Sequence, residues 1–401
     1  MTLPLLVRRS LRQHALATVV TALSIALAGA LLMTVWSLKR QSQAAFTGMT
    51  GGWDAVLGAR GAKLQLVLNS IFHLEASPGN IPMADVDALA RNRAVALVVP
   101  IAVGDNYRGW RLVGTTPEMF EKAEYAPGKR LSIESGGRIF TVSQHEAVLG
   151  AFAAKQLGMK VGDTFHPYHG LVFNETEKHS ETYTVTGILS PSSTPADRVI
   201  WIPIAGLQSM SGHIASAAND VSAALVKLRS PTAGMMLDLL YNRQGNRFTF
   251  AWPIGAVLKD LFDKLGWFDK VLSLVAVMVA LVACASVLAS LYNSMSARRR
   301  DLAILRALGA RRRTIFSAIV LEAAAVATLG MLIAFLFHFA LLAAAAAVVR
   351  TQTGVVIEVW KPDWVWLWAP AALIFLGALA GIVPAIKAYR TDVASSLTPE
   401  Y

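Results

Sequence analysis

The side chains best suited to metal chemistry lie in one short segment, "HPYHGLVFNETEKH" at residues 166–179. It contains three histidines and two glutamates, and imidazole and carboxylate groups are ligands that Zn²⁺ accepts in proteins. The H-E-x-x-H spacing and paired cysteines are absent, and Pro167 argues against a helix that presents His166 and His169 on one face. The pattern therefore favours a solvated loop, and we predict no metal ligands in the chain. The other histidines of the same region are His73, His145 and His213.

Motifs for enzymatic chemistry are absent as well. The sequence has no nucleophile elbow and no G-x-x-x-x-G-K-[ST] phosphate loop. The stretch "APGKRL" at 126–131 has a Gly-Lys pair but lacks the upstream glycine and the hydroxyl residue that would bind Mg²⁺. We therefore predict no catalytic and no cofactor-binding residues, so the chain is not an enzyme and does not itself bind ATP.

The apolar composition of the chain predicts which structural elements it forms. The chain has 401 residues, of which 54% are hydrophobic, and a mean hydropathy of +0.48, which is high for a soluble protein. A bilayer-spanning helix needs about 20 apolar residues. Four stretches reach that length: 14–38, 271–292, 314–349 and 364–386. We interpret the first as an uncleaved anchor, because it is too long for an export signal. The third is long enough to tilt, bend near Gly330 or project beyond the bilayer; a break into two short spans is the competing option.

The charge distribution predicts the orientation. Basic residues concentrate before the first span, between the second and third, and after the fourth, where they outnumber Asp301, Asp392 and Glu400. The region between the first two spans is nearly balanced. By the positive-inside rule, both termini are cytoplasmic and the large region is outside. The net charge of +11 is then a topology signal, and we predict no nucleic-acid partner.

The outer region has a mixed texture. "YTVTGIL" (183–189) and "RVIWIPI" (198–204) predict strands, whereas "MADVDALARN" (83–92) and "EAVLGAFAAKQLG" (146–158) have helical spacing, the latter ending at Gly158. The only cysteine, Cys284, lies in the second span, so packing alone holds the outer fold. "LQLVLNSIF" (64–72) predicts an apolar helix or strand that packs on the outer membrane face or on a twin subunit.

The predicted fold is a membrane protein with four transmembrane α-helices and a large α+β extracytoplasmic domain inserted between helices 1 and 2. The predicted boundaries are a cytoplasmic N-terminus with helix 1 at 1–40, the outer domain at 41–268, helix 2 at 269–292, a cytoplasmic coupling segment at 293–313, helix 3 at 314–349, a short periplasmic loop at 350–363, helix 4 at 364–386 and a cytoplasmic tail at 387–401.

The segment "ARRRDLAILRALGARRR" (297–313) predicts a short amphipathic helix between two arginine clusters. Asp301 suits its first turn, where the helix dipole favours an acid, and Gly309 suits a left-handed end. An ordinary positive-inside loop explains the arginines but not the aliphatic spacing. We predict that the segment docks on a partner through its apolar stripe and its basic flanks. Its residues are Arg298, Arg299, Arg300, Asp301, Leu302, Ile304, Leu305, Arg306, Leu308, Gly309, Arg311, Arg312 and Arg313.

Two further features of the spans have predicted roles. Glu322 is an acid inside the third span, and we predict pairing with Arg313 or with the basic end of a neighbouring helix rather than proton or substrate handling. Small residues line the first span, as close helix packing in lipid requires, and we take them as support for a dimer. They are Ala26, Ala28, Gly29 and Ala30.

Four motifs in register with this span pattern resemble MacB-type ABC transporter permeases. They are "VGTTPEMFE" (113–121), "VLGAFAAKQLGMKVGDTF" (148–165), "YTVTGILSPSSTPADRVIWIPI" (183–204) and the coupling segment with "LRALGA". The first three resemble the periplasmic core domain of that family. MacB carries a fused ATPase, whereas this sequence has no phosphate loop, so the resemblance is to a permease nearer the LolC, LolE and FtsX arrangement.

The resemblance implies a non-catalytic permease in the bacterial inner membrane. It would work with two copies of a separate ATPase, which holds ATP and Mg²⁺, and with a second permease chain, identical or paralogous. Membrane lipid and a periplasmic adaptor or substrate-carrying protein are further expected partners. The implied activity is mechanotransmission: ATP-driven movement of the periplasmic domain that exports or extracts a lipid, lipoprotein, peptide or drug. Two alternatives are an FtsX-like transducer that regulates an extracytoplasmic partner such as a cell-wall hydrolase, and a metal-related transport system.

Overall fold

The computed structural model describes residues 3–48, 50–210, 219–264, 266–297, 304, 306, 309–353 and 356–390. The chain forms two compact units. The first, here called the membrane unit, consists of Met1–Gln41, Leu265–Ala347 and Glu358–Tyr401. The second, the outer unit, consists of Ser42–Lys264 with Val348–Ile357.

Among the described residues, four helices are long and apolar enough to cross a membrane. The helices that contain the spans, with the shorter ones flanking them, are α1 (Leu3–Gln13), α2 (Ala15–Gly48), α10 (Gly266–Ala297), α11 (Arg312–Thr353), α12 (Val365–Ala380) and α13 (Ile382–Arg390). Helix α11 is continuous over 42 residues, so the option of two short spans is wrong. The spanning helices α2, α10 and α11 each extend beyond the apolar run in the sequence, because polar residues at the ends continue the backbone hydrogen bonding.

The outer unit is a sheet covered by helices on both faces. Its strands are β1 (Ala55–Ala59), β2 (Ile81–Pro82), β3 (Val95–Tyr107), β4 (Trp110–Thr115), β5 (Glu124–Ala126), β6 (Lys129–Arg130), β7 (Glu146–Leu149), β8 (Thr164–Phe165), β9 (Tyr168–His169), β10 (Tyr183–Ile188), β11 (Ile200–Pro203), β12 (Asp220–Val221), β13 (Ala223–Leu228) and β14 (Phe248–Ala251). Its helices are α3 (Lys63–Ser70), α4 (Met83–Ala90), α5 (Glu118–Glu121), α6 (Ala151–Leu157), α7 (Ile204–Gln208), α8 (Pro231–Asp238) and α9 (Ile254–Lys264).

The main sheet runs in the order β14-β1-β13-β3-β4-β11-β7-β10-β8, with β9 paired to β3. Successive strand residues point to opposite faces and fill two cores. On β1, Leu57 belongs to the core beneath α4, α7 and α8, whereas Val56 belongs to the core beneath α3, α5 and α9. A sheet buried on both faces explains why its strands read as nearly continuous apolar runs.

The predicted strands at 183–189 and 198–204 and the predicted helix at 83–92 are confirmed as β10, β11 and α4. The prediction of one helix over 146–158 is wrong in its first half. Residues 146–149 form the buried strand β7, paired with β10 and β11, and only Ala151–Leu157 is helical. All four strand residues are buried, so the segment lacks the solvent-exposed face of a surface helix. The stop at Gly158 is confirmed by its left-handed φ of +67°.

The stretch 64–72 is mostly helical, as α3, but its predicted location is wrong. Leu66 and Val67 are fully buried within the outer unit, in the same core as Leu258 of α9. The apolar face of α3 is therefore used inside its own domain and is not exposed to lipid or to a twin subunit.

An ion pair between the half-exposed Arg138 and the buried Glu146 ties β7 to the segment that precedes it. Arg138 Nη1 donates to Glu146 Oε2 at 2.7 Å, Nη2 donates to Oε1, and the backbone N–H of Thr141 donates to Oε2 at 2.7 Å. The hydrogen bonds from Arg138 hold the pKa of Glu146 at about 2, well below its ordinary value of 4.5.

The depressed pKa of Glu146 predicts acid sensitivity of the outer unit. The ionised carboxylate is favoured in the folded state, so its stabilisation is full above pH 4.5 and is lost as the pH falls toward about 2. We expect Glu146→Gln to lower the melting temperature at pH 7 and to flatten its fall below pH 4.5. Near-ultraviolet circular dichroism of the detergent-solubilised chain measures both. A mutant with the wild-type pH profile would contradict the assignment.

Candidate functional site

The predicted coupling segment is only partly described. Arg298, Arg299, Arg300, Asp301, Leu302, Leu305 and Leu308 lie outside the described residues. Ile304 and Arg306 are helical, and Ile304 is 43% exposed. Gly309 has a φ of +95°, and its N–H donates to the Arg306 carbonyl at 3.0 Å, which confirms the left-handed conformation predicted there.

Two basic residues, Arg312 of the segment and Lys387 of α13, pack on tyrosines of the membrane unit. Arg311, Arg312 and Arg313 are exposed. The Arg312 guanidinium lies 5.6 Å from the ring centroid of Tyr389 on α13. On the same helix, Lys387 donates to the Tyr292 hydroxyl of α10, with its Nζ 3.9 Å from the ring centroid. These contacts join the ends of α10, α11 and α13 near the arginine cluster.

The intramembrane acid Glu322 is buried. A carboxyl group in an apolar span needs such shielding from lipid. The Ser10 hydroxyl of α1 donates to its Oε1, a partner that the sequence analysis did not predict. Helix α1 lies along α11 here, since Arg8 and Arg12 line a cavity together with Leu321 and Ala325. The amphipathic N-terminal helix therefore covers the acid.

A buried histidine that the sequence analysis missed links three membrane helices. His338 on α11 accepts from Trp366 Nε1 of α12 at its Nε2, at 3.1 Å, and its Nδ1 lies 3.0 Å from Thr34 Oγ1 of α2. The indole N–H only donates, so Nε2 is the acceptor and a neutral ring carries its proton on Nδ1, toward Thr34. The residue is fully buried with both nitrogens paired. The signal in the sequence was a lone histidine in an apolar run, which does not reveal its partners.

The small residues of the first span pack inside the chain. A Cβ on Gly29 would lie 2.7 Å from Met331 Sδ, and a Cβ on Gly330 would lie 2.8 Å from the Ala22 carbonyl oxygen. Ala26, Ala28 and Ala30 are buried in the same cluster. The close helix packing predicted for these residues is therefore met inside the chain, with Gly29 against α11. The dimer stays a prediction.

The histidines of the outer unit do not share one environment. Residues 172–177 are exposed, as predicted, but His179 is buried and meets Asp105 of β3, so the solvated-loop prediction is wrong at that position. His169 also meets Asp105. His166 instead pairs with the Glu181 carbonyl at 3.1 Å. His73 lies under Trp201, and burial lowers its pKa to about 3. His213 lies outside the described residues.

Comparisons with known proteins agree with this architecture. The family profile of the MacB-like periplasmic core domain matches residues 15–234, and that of the FtsX-like permease C-terminal region matches residues 273–393. The macrolide export ATP-binding/permease proteins MacB 1 of Yersinia pestis bv. Antiqua (strain Antiqua) and of Yersinia pseudotuberculosis serotype I (strain IP32953) are each 24% identical over 172 residues, which is 41% of this chain. The match spans 25% of the length of those relatives.

Two solved structures resemble parts of the chain. The periplasmic region of MacB from Actinobacillus actinomycetemcomitans has a TM-score of 0.35 and 14% identity over 54% of this chain and 94% of that structure. The extracellular domain of the noncanonic ABC-type transporter YknZ from Gram-positive bacteria has a TM-score of 0.31 and 18% identity over 49% of this chain and 97% of that structure. The profile of the MacB-like periplasmic core domain alone covers more than half of this chain. The chain belongs to the MacB/FtsX family of ABC transporter permeases.

Proposed function

We propose that this permease subunit transmits motion: a separate ATPase moves the coupling segment, and the movement reaches the outer unit. The observation that carries the proposal is the continuity of α11. Its residues Arg312–Ala347 belong to the membrane unit, and Val348–Thr353 belong to the outer unit. An unbroken helix is stiff along its axis, so displacement at one end is delivered to the other.

Contacts within the outer unit support this role for the end of α11. The Arg198 guanidinium donates to the Gln352 carbonyl and lies 5.8 Å from the ring centroid of Trp110. Arg350 lies over the ring of Phe152 on α6, at 5.5 Å. Arg198 is partly desolvated, which lowers its pKa from the ordinary value but leaves it charged. These contacts anchor the helix end in the fold of the outer unit.

The composition of the membrane unit favours transmission over conduction of a hydrophilic solute. The described interior consists largely of alanine and aliphatic side chains from α2, α11 and α12. The buried polar groups Thr34 and His338 bind each other instead of facing an aqueous path. The substrate class that we propose is amphipathic: a lipid, lipoprotein, peptide or drug handled by the outer unit.

The proposed assembly contains two permease chains and two ATPase subunits, with ATP and Mg²⁺ on the ATPases. We place it in the bacterial inner membrane with cytoplasmic termini, and expect a periplasmic adaptor or carrier. The FtsX-like profile over residues 273–393 supports a second candidate, a transducer that regulates an extracytoplasmic enzyme. Capture of a membrane-fusion adaptor or lipidated cargo by the full chain supports export, whereas capture of a peptidoglycan hydrolase supports signalling.

A spin-label experiment tests the proposed motion. Cys284 is the only cysteine, so Cys284→Ser gives a background for a single label at Met235→Cys, an exposed position on α8. In the complex with its ATPase, we expect the label-to-label distance between the two permeases to change when ATP is trapped. An unchanged distance during continued ATP hydrolysis contradicts motion of the outer unit. One permease chain per particle contradicts the dimer.

A further inference from the structure

Three potential metal ligands converge in the outer unit, away from the coupling segment. His179 Nε2 lies 3.1 Å and His169 Nδ1 lies 3.4 Å from the same oxygen, Asp105 Oδ1. The ligand atoms of the three residues all lie within 4.8 Å of one another. The Asp105 side chain is fully buried and that of His179 is 5% exposed, whereas that of His169 is 51% exposed. The cluster is thus embedded on one side and open to solvent on the other.

The sheet itself brings these residues together. Between Val103 and Asn106, β3 contains a bulge relative to β4, and the pairing with β9 begins at Asp105 within that bulge. The register sets Asp105 opposite His169. Such bulges re-aim side chains and are common beside functional sites. The backbone N–H of His179 donates to the Pro167 carbonyl at 2.9 Å, and this hydrogen bond holds His179 close to β9 and Asp105.

A buried amide holds the loop that carries His169. Asn106 Nδ2 donates to the Gly170 carbonyl at 2.9 Å and to the Val172 carbonyl at 3.3 Å, and its Oδ1 accepts from Gly109 N–H at 3.0 Å. Asn106 is fully buried. These bonds fix the loop through its backbone, so the position of His169 depends on the fold and not on its own contact with Asp105. Preorganised ligands of this kind are what a metal site requires.

The donor types favour one class of ion, and two of the ligand-to-ligand distances are compatible with it. Zn²⁺ bound to nitrogen and oxygen ligands at about 2.0–2.2 Å in a tetrahedron has ligand-to-ligand edges of about 3.3 Å. The two edges at Asp105 Oδ1 are 3.1 and 3.4 Å. Imidazole nitrogen favours Zn²⁺ and its neighbours over Mg²⁺ and Ca²⁺, which prefer oxygen. Three protein ligands leave a fourth position, as in sites that exchange a bound water or ligand.

We propose that Asp105, His169 and His179 form a binding site for a divalent transition-metal ion of the Zn²⁺ type, with its fourth position open to solvent beside His169. The proposal departs from the expectation of a chain without metal ligands. It does not depend on the proposed transmission of motion, because all three ligands lie within the outer unit.

Calorimetry on the full-length, detergent-solubilised chain tests the site with Zn²⁺ alone as the probe, after removal of metal with a chelator. We expect one ion per chain with micromolar affinity or tighter. His169→Ala, at a half-exposed position, should weaken binding by at least about tenfold, since even second-sphere changes cost 10- to 100-fold. The matched control is His166→Ala, in the same loop but bonded to Glu181.

Cobalt substitution gives a readout of the ligands themselves. We expect tetrahedral Co²⁺ bands from the wild type, their loss in His169→Ala, and a new sulfur-to-cobalt charge-transfer band in His169→Cys with binding restored. If neither Zn²⁺ nor Co²⁺ binds stoichiometrically, Asp105 and the two histidines form only an ordinary hydrogen-bonded cluster, and the proposal is overturned. Equal weakening by His166→Ala and His169→Ala overturns it as well. Circular dichroism of each variant verifies that the outer fold is intact.

Discussion

The double variant Leu305→Asp, Leu308→Asp is expected to lose stimulation of its partner ATPase and to fail to copurify with it. The two leucines lie on the predicted apolar stripe of the coupling segment. Burying one leucine contributes about 1.5–3 kcal/mol, so losing both costs about 3–6 kcal/mol before the penalty for burying two carboxylates. That loss corresponds to a weakening of binding by roughly 10² to 10⁴.

The matched control places an acid on an exposed apolar position elsewhere. Met235 on α8 of the outer unit is 65% exposed, so Met235→Asp introduces the same chemistry without touching the segment. Copurification with the ATPase and its rate of ATP hydrolysis measure the effect. If the double variant docks and stimulates like the control, the coupling role of residues 297–313 is wrong, whatever the outer unit does.

The membrane spans and the class of the outer fold were predictable because their signals are local. A largely apolar run of 36 residues such as 314–349 admits few structures other than a helix in lipid. The strands β10 and β11 were likewise visible from β-branched and aromatic residues between turn residues. The left-handed backbone conformations of Gly158 and Gly309 were predictable because glycine adopts them readily.

The errors fall where distant residues decide the outcome. "EAVL" at 146–149 fits a helix or a strand by composition, and pairing with β10 and β11 selects the strand. Asp105 and His179 are 74 positions apart and meet because of a bulge that no local pattern marks. His338 depends on Thr34, which is 304 positions away. Propensity and periodicity carry no information about such contacts.

The second strong prediction concerns Gly52→Ala, shortly before β1 in the outer unit. Gly52 has a φ of +81°, and a Cβ there would lie 1.7 Å from the Glu124 carbonyl oxygen of β5. Its own carbonyl accepts from Lys227 Nζ at 2.8 Å, which holds the backbone from the other side. We expect the free energy of unfolding of the outer unit to fall by more than about 3 kcal/mol, a loss typical of a severe steric defect.

Gly109→Ala separates the two causes of this loss. Gly109 has nearly the same φ, +84°, but a Cβ there meets nothing within 4 Å. Its variant therefore reports the conformational cost alone, about 1–2 kcal/mol for an L-residue in the left-handed region. Urea unfolding followed by tryptophan fluorescence compares them in the full-length chain, where Trp53 is buried next to Gly52. Equal losses in the two variants would mean that the backbone at Glu124 moves aside freely. A larger loss at Gly52 means that the backbone of β5 is fixed against Gly52 and cannot move aside to make room for a Cβ.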